Sequence, residues 1–599
     1  MSNGEYSPFT IKKNCQRTKK IMIMENLIVG IDLGTTNSVV SVIDDSKNPM
    51  TVEVDGEKLL PSVISLTETG IIVGQTAKNM LVLEPSKTIA SIKRKMGQDI
   101  SIPIGNQNMR PEEISGLILK KIKQTVVKTF ALNESDPLRA VITVPAYFTE
   151  GQRDATKEAA ELAGLKVERI INEPTAAALA FGLSKMEEAV YAIYDFGGGT
   201  FDVSIIESTD GLVEVLASTG NNHLGGDDID ALLADSLWQT FLIENKLPAN
   251  TIRSENEKAR LIRIAERTKI HLSEVPSVTI QESFFANIKG INYHLEAIVN
   301  RSDFESLIQN IVNETVEHLQ KAVQEANLTF DDLDGVILVG GSSRIPLVAE
   351  QIEQQLDISP TLIDLPDEAV AHGAAIQGAI IDGIDIDTIL VDITPHSLGI
   401  AVADSENLMS VMRGFDDMKL KSNVIIPKNT PIPTKRHDSF SSIVPFQEKY
   451  HIQVFQGENY YFEDNKCIGE TFLEVKKPVE DGSIDVTFAL DINGLLHVTA
   501  VEATTGEKVQ VEFKSSRGKK VKENKLHHLH IVNAMSETDH ALLKRSEALL
   551  SDAEMNEEDK AELGDLSDRF RIALEENAPS VSTIETELLD LLYYLEHNK

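Results

Sequence analysis

Asp32-Leu33-Gly34-Thr35-Thr36 and Asp195-Phe196-Gly197-Gly198-Gly199-Thr200 decide the reading of this chain. Each is a turn between two apolar, β-rich runs, 27–31 and 39–43 for the first and 190–194 and 201–206 for the second. An acidic residue enters each turn, and glycine with threonine occupies it. The two aspartates lie 163 positions apart (195 − 32), which points to a two-lobed body built from a duplicated unit. Asp and Gly serve any tight turn, so one such hairpin says little; two, each flanked by strands, say much more. A phosphate chain needs several backbone N–H groups pointing one way, and glycine lets the backbone approach closely. Threonine adds a donor. The aspartates suit Mg²⁺, which keeps most of its waters and touches one or two carboxylates.

Working outward, residues 24–384 alternate β-rich and helical stretches, the pattern of an α/β domain. Strands are expected at 27–32, 140–144, 190–195 and 335–339, and helices at 111–130, 152–163 and 255–272. The strand at 335–339 runs into Gly340-Gly341-Ser342-Ser343-Arg344, a strand-to-helix turn where backbone can approach a flat ligand. No GxxxxGK[ST] run occurs, which excludes a P-loop enzyme. Around 385–392 a short apolar run (Ile389-Leu390-Val391) lies between carboxylates, followed by Pro395. From 393 to 514 the period becomes two, with frequent Gly, Pro and Asn, as in an antiparallel sandwich. The remainder, 515–599, is rich in Leu, Ala and Glu and reads as an acidic helical tail.

The chain has 599 residues, 57 Lys+Arg against 93 Asp+Glu, and a net charge of −36. That balance weighs against binding nucleic acid or an anionic membrane. Cys15 and Cys467 are far apart, which excludes a disulfide scaffold or zinc finger and fits a reducing compartment; a cytoplasmic location is expected. No apolar run is long enough to span a membrane. Residues 1–23 are polar and basic without a secretory apolar core and are expected to be a disordered extension.

Six further segments join the two hairpins: Val144-Pro145-Ala146-Tyr147-Phe148, Ile171-Asn172-Glu173-Pro174-Thr175, His223-Leu224-Gly225-Gly226, Gly340-Gly341-Ser342-Ser343-Arg344-Ile345-Pro346, Pro366-Asp367-Glu368-Ala369-Val370-Ala371 and Ile92-Lys93-Arg94-Lys95-Met96-Gly97. Together they resemble the heat-shock-70 (DnaK-type) chaperones over about 27–515, and the departures from that pattern given below resemble the short, divergent HscC-like branch in particular. The resemblance implies an actin-like two-lobed ATPase domain (24–384), an apolar interdomain linker (385–392), a β-sandwich that binds peptides (393–514) and a C-terminal α-helical lid (515–599).

It also implies roles. Asp32 and Asp195 would position hydrated Mg²⁺, with Gly34, Thr35, Thr36 and the Gly197, Gly198 and Gly199 amides on the phosphates of ATP. Lys93 would orient the attacking water, Glu173 and Thr200 would lie near the γ-phosphate, and Asp202 near a K⁺ site. Gly225, Gly226, Glu266, Lys269, Ser273, Gly340, Gly341, Ser342, Arg344 and Asp367 match the nucleotide pocket. By spacing alone, Glu266 and Lys269 would be an ordinary surface helix pair. Pro145, Arg153, Leu390 and Asp392 match the coupling elements, and Ile400, Ala403, Phe440, Ile443, Tyr450 and Ile452 the peptide pocket. Implied partners are unfolded or client polypeptides and a J-domain co-chaperone near Asn172 and the linker.

Four features depart from the family pattern. Only 13 residues separate Gly97 from Pro111, where DnaK-type proteins carry a longer insertion, which argues against an exchange factor that grips it. Tyr450 stands where a small β-branched residue is usual and should shrink the pocket. The tail is shorter than the usual lid. The terminal Leu595-Glu596-His597-Asn598-Lys599 differs from the acidic tetrapeptide that tetratricopeptide partners read. Two other functions stay open: a chaperone dedicated to one partner, and a sugar or metabolite kinase of the same superfamily.

Overall fold

The computed structural model describes residues 27–182, 188–384, 388–403, 420–504 and 506–512, with Ile531 and parts of 542–595 beyond. The expected extension at 1–23 and the first three linker positions, 385–387, lie outside the described residues.

Ile28–Asp32 (β1), Asn37–Ile43 (β2), Pro49–Thr51 (β3), Leu138–Val144 (β4) and Leu165–Asn172 (β5) form a sheet in the order β5-β4-β1-β2-β3. Glu188–Phe196 (β6), Phe201–Thr209 (β7), Leu212–Asn221 (β8), Gly335–Val339 (β9) and Thr361–Leu362 (β10) form a second, in the order β10-β9-β6-β7-β8. In both, the acidic hairpin pairs antiparallel while its first strand also pairs parallel to a later strand: β1 with β4, and β6 with β9. The duplication expected from the two turns is thus a repeated pairing pattern. These strands are almost wholly buried, as parallel strands covered on both faces are.

Among the helices are Gln75–Leu83 (α1), Pro111–Thr129 (α2), Glu150–Leu162 (α3), Glu173–Phe181 (α4), Gly226–Glu244 (α5), Glu255–Glu274 (α6), Arg301–Glu325 (α7), Pro346–Leu356 (α8) and Ala369–Ile381 (α9). The helix expected at 152–163 begins two residues earlier. Gln152 Oε1 accepts the Thr149 amide at 2.9 Å, so Thr149 is the cap and Gln152 its partner in the first turn. One apolar cluster joins β1, β2 and β4 to α2 and α3, and another joins β6 and β7 to α5, α6 and α7. A third, rich in alanine, lies between them on α4 and α9, close enough that a Cβ on Gly373 would meet the Ala176 carbonyl at 1.8 Å.

The apolar run of the linker is a strand. Ile389–Ile393 (β11) pairs parallel to β8 through Leu212↔Ile389, Val213↔Leu390 and Glu214↔Val391, and antiparallel to Pro431–Ile432. The second sheet therefore continues into the segment that follows. There, Leu398–Ala403, Leu420–Ile426, Lys449–Gln456 and Lys466–Glu474 form one antiparallel four-stranded sheet. Thr434–Ser441, Ser483–Leu490, Leu496–Glu502 and Lys508–Glu512 form the other, and a shared core lies between them. Glu557–Glu576 (α10) belongs to a C-terminal cluster around Leu563, Phe570 and Leu588, against which Leu83 of α1 also packs. Among the described residues no helix is long and apolar enough to cross a membrane.

Candidate functional site

The two acidic turns face each other. A Cβ on Gly198 would lie 1.9 Å from Thr36 Oγ1, and one on Gly199 would lie 2.3 Å from the Thr35 side chain, so glycine is required for the turns to abut. The third turn closes on them. Gly340 has φ +81, and a Cβ there would lie 2.6 Å from Asp195 Oδ1. Between the three turns lies a cavity of about 560 Å³.

Its walls gather Asp32, Gly34, Thr35, Thr36, Lys93, Glu173, Asp195, Gly197, Gly198, Thr200, Glu266, Lys269, Ser273, Gly340, Gly341, Ser342, Arg344 and Asp367. Gly199, Gly225, Gly226 and Asp202 stand behind this lining. Gly225 backs onto the Gly198 carbonyl, Gly226 approaches Ser342 and Lys269, and Asp202 accepts the Tyr147 amide at 3.0 Å.

At one end the cavity is strongly charged. Lys93 sits on a 3₁₀ turn, Ile92–Lys95, and its Nζ lies 2.5 Å from Glu173 Oε1. Only 5% and 8% of these side chains are exposed. Burial works against the charge on Lys93, but Glu173, Asp32 and Asp195 outweigh it and hold its pKa above the usual lysine value. Burial pushes Asp195 up to about 8, with Asp202 and Asp32 adding to it, and pushes Asp202 up to about 7. Asp32, which accepts Thr143 Oγ1 at 3.0 Å, and Glu173 are raised by burial too. Carboxylates thus outnumber the lysine they surround. A divalent cation between Asp32 and Asp195 would relieve that crowding. Mg²⁺ keeps most of its waters and touches one or two carboxylates, which Asp32 and Asp195 can supply.

The opposite end is amphipathic. Ile270 and Leu362 line it beside Ser273, whose Oγ lies 3.4 Å from the Lys269 carbonyl. Glu266 and Lys269 do not pair with each other. Glu266 bonds Lys78 of α1 at 2.8 Å, and Lys269 bonds Asp230 at 2.8 Å and the Gly226 carbonyl at 3.2 Å. Spacing along one helix could not show these partners, which arrive from other elements. Arg344 pairs with Asp367 at 2.9 Å, and Ser342 Oγ donates to the Gly197 carbonyl at 2.8 Å.

A polar chain leaves the cavity at Glu173. Its neighbour Asn172, at the end of β5, accepts Arg153 Nη2 at 2.5 Å and donates to both Asp392 oxygens at 2.8 Å. Arg153 also reaches the carbonyl of Ala146, next to Pro145, at 3.4 Å. Leu390, two residues before Asp392, packs against the central alanine-rich cluster. All these polar groups are buried.

Contacts that the sequence reading did not single out tie the sandwich to this body. Asn493 Oδ1 accepts the Ile170 amide at 2.9 Å, Lys428 bonds Glu325 at 2.6 Å, and His396 packs on Tyr147 with ring centroids 4.3 Å apart. The Gly-, Pro- and Asn-rich turns of 393–514 mark where the chain reverses, but nothing in them names these partners.

Within the sandwich, Ile400, Tyr450 and Ile452 lie in the shared core with half-buried Phe440 against them. Ala403 and Ile443 fall outside this group. Ala403 is an odd number of residues from Ile400 along the strand and so takes the alternate face, and Ile443 is 49% exposed. Tyr450 points inward, hydrogen-bonded to Ser442, with its hydroxyl 2.6 Å from where a Cβ on Gly482 would stand.

The family model described as Hsp70 protein matches residues 28–593, and the chain belongs to the Hsp70 family, whose members are ATPases and ATP-dependent chaperones.

Proposed function

We propose that this chain hydrolyses ATP in the cavity between its two acidic turns and uses that cycle to switch the hold of its sandwich on extended, apolar polypeptide segments. The division into an ATPase domain at 24–384, a linker at 385–392, a peptide-binding sandwich at 393–514 and a helical lid at 515–599 is part of this reading. The observation that carries it is the buried Lys93–Glu173 pair. It opens into the same cavity as Asp32 and Asp195 and adjoins, through Asn172, the strand that joins the ATPase body to the sandwich.

Each residue then has a task. Thr35, Thr36 and the amides of the glycine turns hold the phosphates. Lys93 orients the attacking water and offsets charge developing on the transferred phosphoryl group, while Glu173 holds the ammonium in place. Thr200 borders the γ-phosphate, and Asp202 stands near K⁺. Asp32 and Asp195 hold Mg²⁺, which supplies neutralisation of the phosphate charge. Glu266, Lys269, Ser273, Arg344 and Asp367 hold the nucleoside. ATP-dependent pairing of β11 with β8 carries the signal outward through Pro145, Arg153, Leu390 and Asp392. A J-domain co-chaperone engages the surface near Asn172 and β11, and the setting is a reducing cytoplasm.

The inward Tyr450 favours a narrower variant, in which the sandwich serves a dedicated partner rather than clients with large aliphatic anchors. A kinase has no use for a sandwich tied to its core by a shared sheet. The test is single-turnover ATP hydrolysis with and without a panel of unfolded peptides, using Lys93→Ala as control. Stimulation by many peptides, lost in the variant, supports general chaperoning. Lys93-dependent hydrolysis that ignores every peptide supports the dedicated partner, and no hydrolysis overturns the reading.

A further inference from the structure

We propose that Arg94 is a positioning residue for hydrolysis, seating Lys93 only when the two lobes are closed; this rests on the ATPase reading above. The 3₁₀ turn that carries Lys93 belongs to the first lobe, since Ile92 and Met96 are in its core. α5 belongs to the second, through Ile229 and Leu233. On both sides of Lys93 a side chain crosses from one to the other. Ser91 Oγ donates to Asp227 Oδ2 at 2.6 Å. The Arg94 guanidinium forks onto the two oxygens of Asp228, with Nη1 3.1 Å from Oδ1, and its Nε donates to the Gly199 carbonyl at 2.9 Å.

The acceptors are themselves fixed. Asp228 Oδ2 accepts the Gly225 amide at 2.8 Å and so caps α5. The first α5 amides, Gly226 and Asp227, donate to the carbonyls of Gly197 and Gly198 at 3.0 and 2.7 Å. The second acidic turn, the start of α5, Arg94 and Lys93 therefore form one mechanical unit spanning the cleft. Rotating the lobes apart breaks the fork and draws Lys93 away from Gly197–Thr200.

A partly exposed ion pair contributes little to stability. The forked geometry, which only arginine can make while also reaching a carbonyl through Nε, serves orientation instead. Small misplacement of a catalytic group is costly in rate, about 10²-fold for an ångström.

The experiment compares wild type, Arg94→Ala, Arg94→Lys, Asp228→Asn and the double variant Arg94→Ala/Asp228→Asn. For each, single-turnover hydrolysis, equilibrium ATP affinity and the thermal transition are measured. We expect Arg94→Ala to slow hydrolysis by about 10²-fold with ATP affinity within about fivefold of wild type. Arg94→Lys should recover only part of the rate, and the double variant should be no slower than Arg94→Ala. Should Arg94→Ala lose its thermal transition, the same rate-without-affinity loss in Arg94→Lys is the supporting result. Full-speed hydrolysis in Arg94→Ala or in a folded Arg94→Lys, parallel losses of rate and affinity, or multiplicative losses in the double variant would each overturn the proposal. A wild type that does not hydrolyse ATP would instead overturn the ATPase reading itself, so the two failures are distinct.

Discussion

The side-chain amide of Asn172 donates to both carboxylate oxygens of Asp392, each at 2.8 Å, with Arg153 bound on its other side. Asn172 directly precedes Glu173, the partner of Lys93, so a group in the cavity and a strand leading to the sandwich share one rigid neighbourhood. Replacing Asp392 by Asn removes the charge that faces buried Arg153. Hydrogen bonds to charged groups contribute on the order of 1.5–3 kcal/mol, so the docked arrangement should weaken about tenfold or more. Fluorescence transfer between labels on the ATPase body and the sandwich measures this, and an unchanged response to ATP would show that the link does not carry docking.

Lys93→Ala takes the cation out of a pocket crowded with carboxylates. Loss of one preorganised electrostatic group typically costs about 10²–10³ in rate, so single-turnover hydrolysis should fall by that order. ATP affinity should change far less, because most of the lining remains. A loss of less than about fivefold would reassign the lysine to structure.

Lys78 and Glu266 bridge α1 and α6 at the mouth of the cavity, and both are partly exposed. Such a pair is worth about 0–1 kcal/mol. Lys78→Ala should therefore speed ADP release by no more than about fivefold, and salt should erase the difference. Stopped-flow release of a fluorescent ADP at low and high ionic strength reads both effects.

Glu150, the first residue of α3, is half-buried beside Leu496 and Asp491 of the sandwich, and the solvent it loses there pushes its carboxyl up to about 8. Arg153 opposes the shift, while Asp491 and Asp154 add to it. Undocking exposes Glu150 and returns it toward 4.5. The docked state thus binds the extra proton, so this contribution to docking is complete below about pH 4.5 and is lost as pH rises through about 8. Docking measured by fluorescence transfer should weaken across that window, and Glu150→Gln should flatten the profile; an identical profile in the variant would exclude Glu150 as the cause.

Tyr450→Val should enlarge the sandwich pocket and tighten binding of a leucine-centred peptide. It should also lower thermal stability, since removing a buried ring costs on the order of 2 kcal/mol. Equal or weaker peptide binding would refute the proposed narrowing.

Much of this was legible in the residues. The acidic Gly-Thr turns announced themselves, because close packing of one turn on another admits only glycine, and the strands at 27–32 and 335–339 follow from local apolar runs. What spacing could not reveal were partners distant in the chain. Glu266 and Lys269 look like mates on one helix, yet each bonds a different element, Lys78 and Asp230. Asn493 gives no local sign of a distant partner, yet its side-chain Oδ1 accepts the Ile170 amide. Nothing near Arg94 in the chain names Asp228, which stands opposite it. By itself the sequence determined the duplicated hairpins, the change of period after 392 and the family, since these depend on side-chain alternation and backbone freedom within short windows. Only the tertiary structure decided that the Ile389–Ile393 run is a strand of the second sheet, that Tyr450 points inward and that Lys93 is flanked by contacts across the cleft. Those outcomes turn on which distant surface satisfies a backbone edge, an apolar ring or a charge.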